Sequence, residues 1–183
     1  MLTIRKYEDA DRDGVRFTCL NSEGAPHTGN LGEFILHTFC DYYIEKEPEN
    51  CFVLSDEGKA VGYIICTENY DAYKEIFDRE YLPLNKDLGD ELYGWAVDST
   101  ILQNKYKEEY PAHLHIDILP AYQRQGWGGK LVEALCEHLK QKGIRGVMLT
   151  TGADNENARK FYSKYGFEVI EILGTDVAFG KKF

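Results

Sequence analysis

The stretch that decides the fold is Tyr110–Phe167, YPAHLHIDILPAYQRQGWGGKLVEALCEHLKQKGIRGVMLTTGADNENARKFYSKYGF. Apolar and polar residues alternate at its start, which is typical of a half-buried strand, and apolar residues recur at helical spacing after the glycines. The predicted elements are a strand at 113–119, a glycine turn at 123–130, a helix at 131–143, a strand at 147–151 and a helix at 155–165. This order predicts an α/β fold.

Outside this stretch, periodicity and turn residues define the remaining elements. We predict a strand at Leu2–Tyr7, helices at Asp9–Leu20 and Leu31–Lys46, a hairpin of Cys51–Ser55 and Ala60–Cys66, helices near Ala72–Glu80 and Thr100–Glu109, and closing strands at Phe167–Leu173 and Asp176–Phe179. Residues 67–111 are predicted to be a helical insertion between the third and fourth strands, either a lid over a site or a tolerated decoration. Residues 1–183 are expected to form a single domain.

Composition narrows the possible partners. The formal net charge is −10, and a nucleic-acid surface needs clustered lysine and arginine, so no nucleic-acid partner is expected. A cationic or small neutral partner fits the charge better, although acidity also serves solubility alone. The five scattered cysteines favour reduced thiols, and the sequence contains no long apolar run. We therefore expect a cytoplasmic protein with no membrane partner and no metal site.

The glycine turn has the local chemistry of an anion site. A strand that ends in glycines before a helix presents free backbone N–H groups and the positive end of the helix dipole, which suits a phosphate or pyrophosphate. The glycine spacing does not match a dinucleotide-binding fingerprint. Leu131 stands where a P-loop requires serine or threonine. Taken alone, the turn is equally compatible with an ordinary helix start.

Two signatures together resemble the GNAT family of acyl-CoA-dependent N-acetyltransferases. Residues 123–128, QRQGWG, are similar to that family's Q/R-x-x-G-x-G/A loop, and residues 155–167 are similar to its second signature, N-x-x-A-x-x-F-Y-x-x-x-G-F. The resemblance implies one domain with a mixed, mostly antiparallel sheet of about six to seven strands flanked by helices. It also implies that residues 112–167 form the CoA-binding core. A narrower resemblance, carried by residues 113–123, is to the acetyltransferase-like domains related to O-GlcNAcase.

The resemblance implies a role for each matching residue. The pyrophosphate and pantetheine of CoA would be bound by Ile118, Leu119, Arg124, Gln125, Gly126, Trp127, Gly128, Gly129, Lys130 and Asn155. Tyr162 occupies the family's usual position for the acid that protonates the leaving thiolate, although a packed aromatic residue explains it as well. Trp127 departs from the small aliphatic residue usual between the two glycines.

The general base is left open between two residues of one strand. His113, His115 and Asp117 share the face opposite Leu114, Ile116 and Ile118, and such a face is expected to line a polar cleft. Histidine titrates near neutrality, and burial can raise the pKa of a carboxyl toward it. Asp117, His115 or a water molecule would therefore be the base, unless the two side chains only bond neighbouring elements.

These features lead to one functional prediction and one alternative. We predict an N-acetyltransferase that transfers the acetyl group of acetyl-CoA directly to an amine, on a small molecule or a lysine side chain, with Tyr162 as acid. The alternative is an acyl-CoA-binding or protein-interaction module of the same fold without turnover. The acceptor and the oligomeric state are not encoded in any motif.

Overall fold

The computed structural model describes residues 1–183 and contains one seven-stranded sheet with eight α-helices. The strands are β1 (Leu2–Lys6), β2 (Phe52–Asp56), β3 (Lys59–Thr67), β4 (Ala112–Ile118), β5 (Gly146–Gly152), β6 (Glu168–Leu173) and β7 (Asp176–Lys182). The helices are α1 (Arg12–Asn21), α2 (Gly29–Phe39), α3 (Asp41–Lys46), α4 (Tyr70–Ile76), α5 (Asp90–Asp98), α6 (Ile101–Tyr106), α7 (Trp127–Gln141) and α8 (Glu156–Lys164). None of the helices combines the length and the apolar composition of a membrane span.

The sheet is mixed, as predicted, and its strand order is β1-β2-β3-β4-β5-β7-β6. Every neighbouring pair is antiparallel except β4 and β5, which run parallel and are joined by α7. A parallel pair requires a crossover connection, and the amphipathic helix after the glycine turn provides it. The predicted core stretch therefore builds the centre of the sheet.

Each face of the sheet has its own hydrophobic core. Ile64 and Leu114 point into the core that also contains the apolar faces of α7 and α8. Tyr63 and Ile65 point to the opposite face, into a core built with the first four helices and rich in tyrosine. Successive side chains of a strand alternate between faces, so the unbroken apolar run of β3 serves both cores. All five cysteines are buried and free, and Cys136 lies in the first core.

The helix predicted over Leu31–Lys46 is wrong in one respect, because it is two helices that meet at Cys40. Cys40 has φ −131° and ψ −64°, outside the helical region. The break reorients α3, so that the consecutive residues Tyr42 and Tyr43 are both almost fully buried. Consecutive positions of one straight helix lie about 100° apart, and only one of the pair would face the core squarely.

The insertion lies between β3 and β4, as predicted, but its helices differ. The predicted helix at Ala72–Glu80 is α4 followed by a π-helical turn at Phe77–Tyr81, and the helix at Thr100–Glu109 is the shorter α6. Helix α5 was not predicted. Only Ala96 of α5 is buried, while Trp95 and Val97 are exposed, so the helix lacks the apolar stripe that periodicity detects.

Candidate active site

A gap opens in the middle of the sheet between β4 and β5. The two strands pair only at their amino-terminal ends, through Ala112 with Val147 and His113 with Met148. Beyond these pairs β4 continues to Ile118 and β5 to Gly152 without pairing to each other. The facing backbone groups are therefore available to a ligand, which is the usual situation at the carboxyl ends of parallel strands.

The glycine turn lies directly after β4 and presents a row of free amides. Gly126 is the N-cap of α7 with φ +85°, and Arg124 has φ +59°. The backbone N–H groups of residues 124–129 donate to no acceptor within the chain, and Lys130 N–H is the next one bonded, to the Gly126 carbonyl. Successive N–H groups at a helix start favour an anion. Lys130 Nζ lies 4.2 Å from the centroid of the Trp127 ring.

Helix α8 packs against the first turn of α7 and brings the two signature segments together. A Cβ at Gly129 would overlap the Tyr165 hydroxyl, and one at Gly128 would lie 3.2 Å from the Phe161 ring. Glycine at these positions therefore permits the close contact of the two helices. Asn155 caps α8, because its Oδ1 accepts the Ala158 N–H at 3.0 Å. A CoA contact of Asn155 stays a prediction.

Tyr162 is both a core residue and a pocket residue. Its ring lies 5.5 Å from the Phe179 ring and 5.7 Å from the Phe167 ring, in the core between α8 and the sheet. It also lines a pocket of about 430 Å³, and its hydroxyl makes no hydrogen bond within the chain. Burial raises the pKa of Tyr162, and the charge of Asp117 adds to this rise, so the phenol stays protonated at neutral pH.

Asp117 is the carboxyl of the predicted polar face and lies beside the gap. It pairs across the strands with Tyr63, whose hydroxyl donates to Asp117 Oδ2 at 2.5 Å. Burial raises the pKa of Asp117 to about 6, and hydrogen bonds from Tyr63 and Ser22 oppose that rise. A carboxylate with a pKa near neutrality can accept and release a proton under physiological conditions.

The two histidines of β4 have different surroundings. His115 lines the same pocket as Asp117, and burial lowers the pKa of His115 to about 4. His113 departs from the prediction, because it does not line that pocket but is 3% exposed among Tyr43, Tyr70 and Tyr73. Burial also lowers the pKa of His113. Both imidazoles are consequently neutral at pH 7.

The pocket has a volume of about 430 Å³ and lies on the side of the gap formed by α1, α2, α5, α6 and β7. It contains the three predicted catalytic residues, Asp117, His115 and Tyr162. The residues predicted to bind CoA do not line it; they lie at the end of β4, in the turn before α7, in the first turn of α7 and at the N-cap of α8. The lining contains no lysine or arginine. It includes four carboxylates, namely Glu23, Asp98, Asp117 and Asp176.

The sequence analysis did not identify the hydrogen-bond partners of the polar side chains on β4. Tyr63 holds Asp117, and Tyr43 bonds both His113 and His115. They are separated from these partners by 54, 70 and 72 residues along the chain. The strand register would have identified Tyr63, because β3 and β4 were both predicted and their side-chain alternation fixes which residues share a face. No local signal marks Tyr43.

Comparison with known proteins places this geometry in a family. Residues 17–167 match the model of the Acetyltransferase (GNAT) family. N-alpha-acetyltransferase 30 of Schizosaccharomyces pombe is 25% identical over 126 residues, which cover 69% of this chain and 62% of that protein. Protein O-GlcNAcase of Rattus norvegicus is 23% identical over 138 residues, 68% of this chain and 15% of that protein. The chain thus spans less than two thirds of the length of each of these relatives.

A solved structure, SsHAT, is similar over nearly the whole fold. It superposes with a TM-score of 0.85 at 28% identity, covering 99% of this chain and 98% of SsHAT. The similarity to Protein O-GlcNAcase agrees with the narrower resemblance of residues 113–123. Because the family model matches 151 of the 183 residues, from 17 to 167 inclusive, the chain belongs to the GNAT family of acetyltransferases.

Proposed function

We propose that this protein transfers the acetyl group of acetyl-CoA to an amine. The observation that carries the proposal is the gap between β4 and β5. Free amides of residues 124–129 border the gap at the start of α7, and Asp117 and Tyr162 lie in the pocket beside it. A cofactor with a pyrophosphate at one end and a thioester at the other fits this order of groups.

The amides of residues 124–129 would hold the pyrophosphate, aided by the positive charges of Arg124 and Lys130. The pantetheine would pass along the unpaired edge of β4. The Ile118 carbonyl accepts from Gln123 Nε2 at 2.7 Å, and the Leu119 N–H is directed to the neighbouring strand β3, where it donates to the Val61 carbonyl at 3.0 Å. Contacts from Ile118 and Leu119 to the cofactor would therefore use their remaining backbone groups.

The proton balance assigns roles to the pocket residues. An acceptor that arrives as an ammonium loses two protons as it becomes an amide, and the leaving thiolate gains one. Asp117 would take a proton from the amine before its nitrogen attacks the thioester carbonyl. Tyr162 would donate its phenolic proton to the thiolate as the tetrahedral intermediate collapses. The raised pKa of Tyr162 keeps that proton in place until the thiolate forms.

The acceptor would be a cationic amine. Four carboxylates and no basic side chain except histidine line the pocket, so a positive charge is favoured there. Four rim residues are apolar and exposed, namely Leu31 (37%), Trp95 (50%), Ile101 (46%) and Leu173 (45%). A small amine with an apolar portion, or a lysine side chain on a peptide, would satisfy both the carboxylates and the rim.

Two measurements test the proposal. We expect acetyl-CoA to raise the unfolding temperature of the protein, because a ligand that binds only the folded state stabilises it. We also expect release of the CoA thiol from acetyl-CoA with at least one member of a panel of monoamines, polyamines and lysine-containing peptides. Stabilisation without thiol release from any amine would indicate the binding module instead, and the absence of both would contradict a CoA site.

A matched pair of variants tests the anion site. Gly126→Ala is expected to weaken acetyl-CoA binding about tenfold, equivalent to about 1.4 kcal/mol, because a Cβ disfavours the left-handed backbone that aligns the amides. Gly143→Ala is the control at the other end of α7. Both glycines have positive φ, +85° and +74°, and a Cβ at either position would have no neighbouring atom within 4 Å. Equal dissociation constants for the two variants by calorimetry would remove the turn from the proposed site.

A further inference from the structure

Behind His115, away from the gap, a tyrosine hydroxyl joins the two histidines of β4. Tyr43 Oη lies 2.8 Å from His113 Nε2 and 3.0 Å from His115 Nε2. Tyr43 is 1% exposed, so these bonds are shielded from solvent. A hydroxyl has one proton, and therefore it donates to one imidazole and accepts from the other. The three groups form a continuous hydrogen-bonded chain with two possible proton arrangements.

A small polar cavity lies at the far end of this chain. It has a volume of about 10 Å³ and is lined by Thr38, Phe39, Tyr43, Tyr73, Ser99, Thr100, Gln103, His113 and His115. Three buried polar atoms around it have no hydrogen-bond partner, namely Thr38 Oγ1, Gln103 Oε1 and His113 Nδ1. A cavity of this size holds about one water molecule, and three polar partners are the usual number for a buried water.

The near end of the chain opens into the acceptor pocket. His115 lines both that pocket and the small cavity, its Nε2 faces Tyr43, and its Nδ1 has no hydrogen-bond partner within the chain. His115 Nδ1 is thus the nitrogen left free to accept a proton from an amine bound in the pocket. Asp117 lies two positions further along the same face of β4, so one bound amine can face both groups.

We propose that His115, Tyr43, His113 and one water molecule in the small cavity form a proton relay that starts at the acceptor pocket. The relay rests on the proposed acetyl transfer, and it deepens that proposal by assigning the second proton of the amine. Asp117 accepts one of the two protons that the nitrogen loses, and His115 Nδ1 accepts the other.

The transfer balances along the chain. As His115 Nδ1 gains the proton from nitrogen, the His115 Nε2 proton moves to the Tyr43 oxygen, and the Tyr43 proton moves to His113 Nε2. The His113 Nδ1 proton then moves to the water. Each step breaks one N–H or O–H bond and forms another. Ser99 and Gln103 line both the cavity and the pocket, so the water can exchange with the pocket and carry the excess proton away.

The surroundings of the two histidines favour passing a proton on over retaining it. Burial lowers the pKa of both imidazoles, and the neighbouring His115 lowers that of His113 further. Neither ring therefore retains an extra proton at neutral pH. The two proton arrangements use the same hydrogen bonds, and one passage of a proton converts the first into the second. The chain returns to the first arrangement when His115 Nδ1 loses its proton to water and His113 Nδ1 gains one from water before the next turnover.

Tyr43→Phe removes the central hydroxyl and keeps the ring. With an amine that the wild type acetylates, we expect kcat to fall at least about tenfold while KM for acetyl-CoA is unchanged, since acid–base groups typically contribute 10²- to 10⁴-fold. Tyr42→Phe is the matched control. Tyr42 is 2% exposed and lies beside Tyr43, but its hydroxyl donates to Glu47 outside the chain of hydrogen bonds. We expect its kcat to stay within about twofold of the wild type.

A second readout does not depend on turnover. In the ligand-free wild type, nitrogen NMR should show both β4 imidazoles neutral at pH 7, with a slowly exchanging imidazole N–H that disappears in Tyr43→Phe and persists in Tyr42→Phe. Thr38→Val, which keeps the volume but removes one water partner, should also lower kcat. It supplies the kinetic test if Tyr43→Phe does not fold.

The outcomes separate the relay from the acetyl transfer itself. An unchanged kcat in both Tyr43→Phe and Thr38→Val, or an equal loss in Tyr42→Phe, would overturn the relay in an active enzyme. Cationic imidazoles at pH 7 would overturn it as well. A wild type that releases no thiol with any amine would instead refute the proposed function. The relay would then be refuted with it, even if the NMR signals were present, because it would have no reaction to serve.

Discussion

Tyr162→Phe is expected to lower kcat by roughly 10²- to 10⁴-fold, the range for loss of a positioned acid. The variant removes only the hydroxyl, which makes no hydrogen bond within the chain, and leaves the ring packed against Phe167 and Phe179. Folding and acetyl-CoA affinity should therefore change little. Steady-state rates of thiol release and calorimetric titration with acetyl-CoA measure the two quantities separately.

Tyr165→Phe is the control for this variant. It removes a hydroxyl from the segment directly after α8, where the ring lies against Gly129 and outside the acceptor pocket. We expect a kcat close to that of the wild type. A Tyr162→Phe enzyme with undiminished kcat would take the hydroxyl out of the mechanism and leave Tyr162 as a packing residue.

Asp117→Asn is expected to lower kcat/KM by roughly 10²-fold or more at neutral pH, because asparagine cannot accept the proton of the amine. In the wild type, kcat/KM should rise with pH through an apparent pKa near 6, since only the ionised carboxyl is a base. That limb should be missing in the variant. Tyr63→Phe should shift the limb to higher pH, because the Tyr63 hydrogen bond favours the ionised carboxyl.

Asp117→Asn should increase the stability of the folded protein at neutral pH, although it lowers the activity. The folded-state pKa of Asp117 is about 6, against 3.8 for the free side chain, so the folded protein binds the proton more tightly than the unfolded chain. Its contribution to stability is full below pH 3.8 and is lost as pH rises to about 6. Asp117→Asn should therefore raise the unfolding temperature at pH 7 to 8. A lower unfolding temperature would contradict a desolvated carboxylate.

Much of the fold follows from local patterns. The alternation at 113–119 predicts β4, the apolar spacing after the glycine turn predicts α7, and Gly126 marks its start. These elements were predictable because burial of one face imposes a period that a single segment reveals. Helix α5 has no such period, because only Ala96 of it is buried. The break at Cys40 is likewise set by packing of α3 against distant strands.

The residues of the candidate site were predictable from local sequence, but the contacts between them were not. His115, Asp117 and Tyr162 stand out because ionisable or aromatic side chains occupy regular positions within predicted elements. Tyr43 bonds two residues that follow it by 70 and 72 positions, and such contacts arise from the register of the whole sheet. The burial of His113 among tyrosines has the same origin. Local pattern therefore identifies the candidate groups of the site, whereas tertiary packing determines their pKa values.

The short pairing of β4 with β5 has a mechanical consequence. Only two residue pairs join these strands, so the sheet consists of two halves, β1 to β4 and β5 to β7, hinged at 112–113 and 147–148. An extended ligand that forms hydrogen bonds with the facing edges of both strands connects the two halves across the hinge. Ligand binding should then slow amide hydrogen exchange in β5 and β7 as well as at the glycine turn, because opening of the hinge exposes the whole second half-sheet.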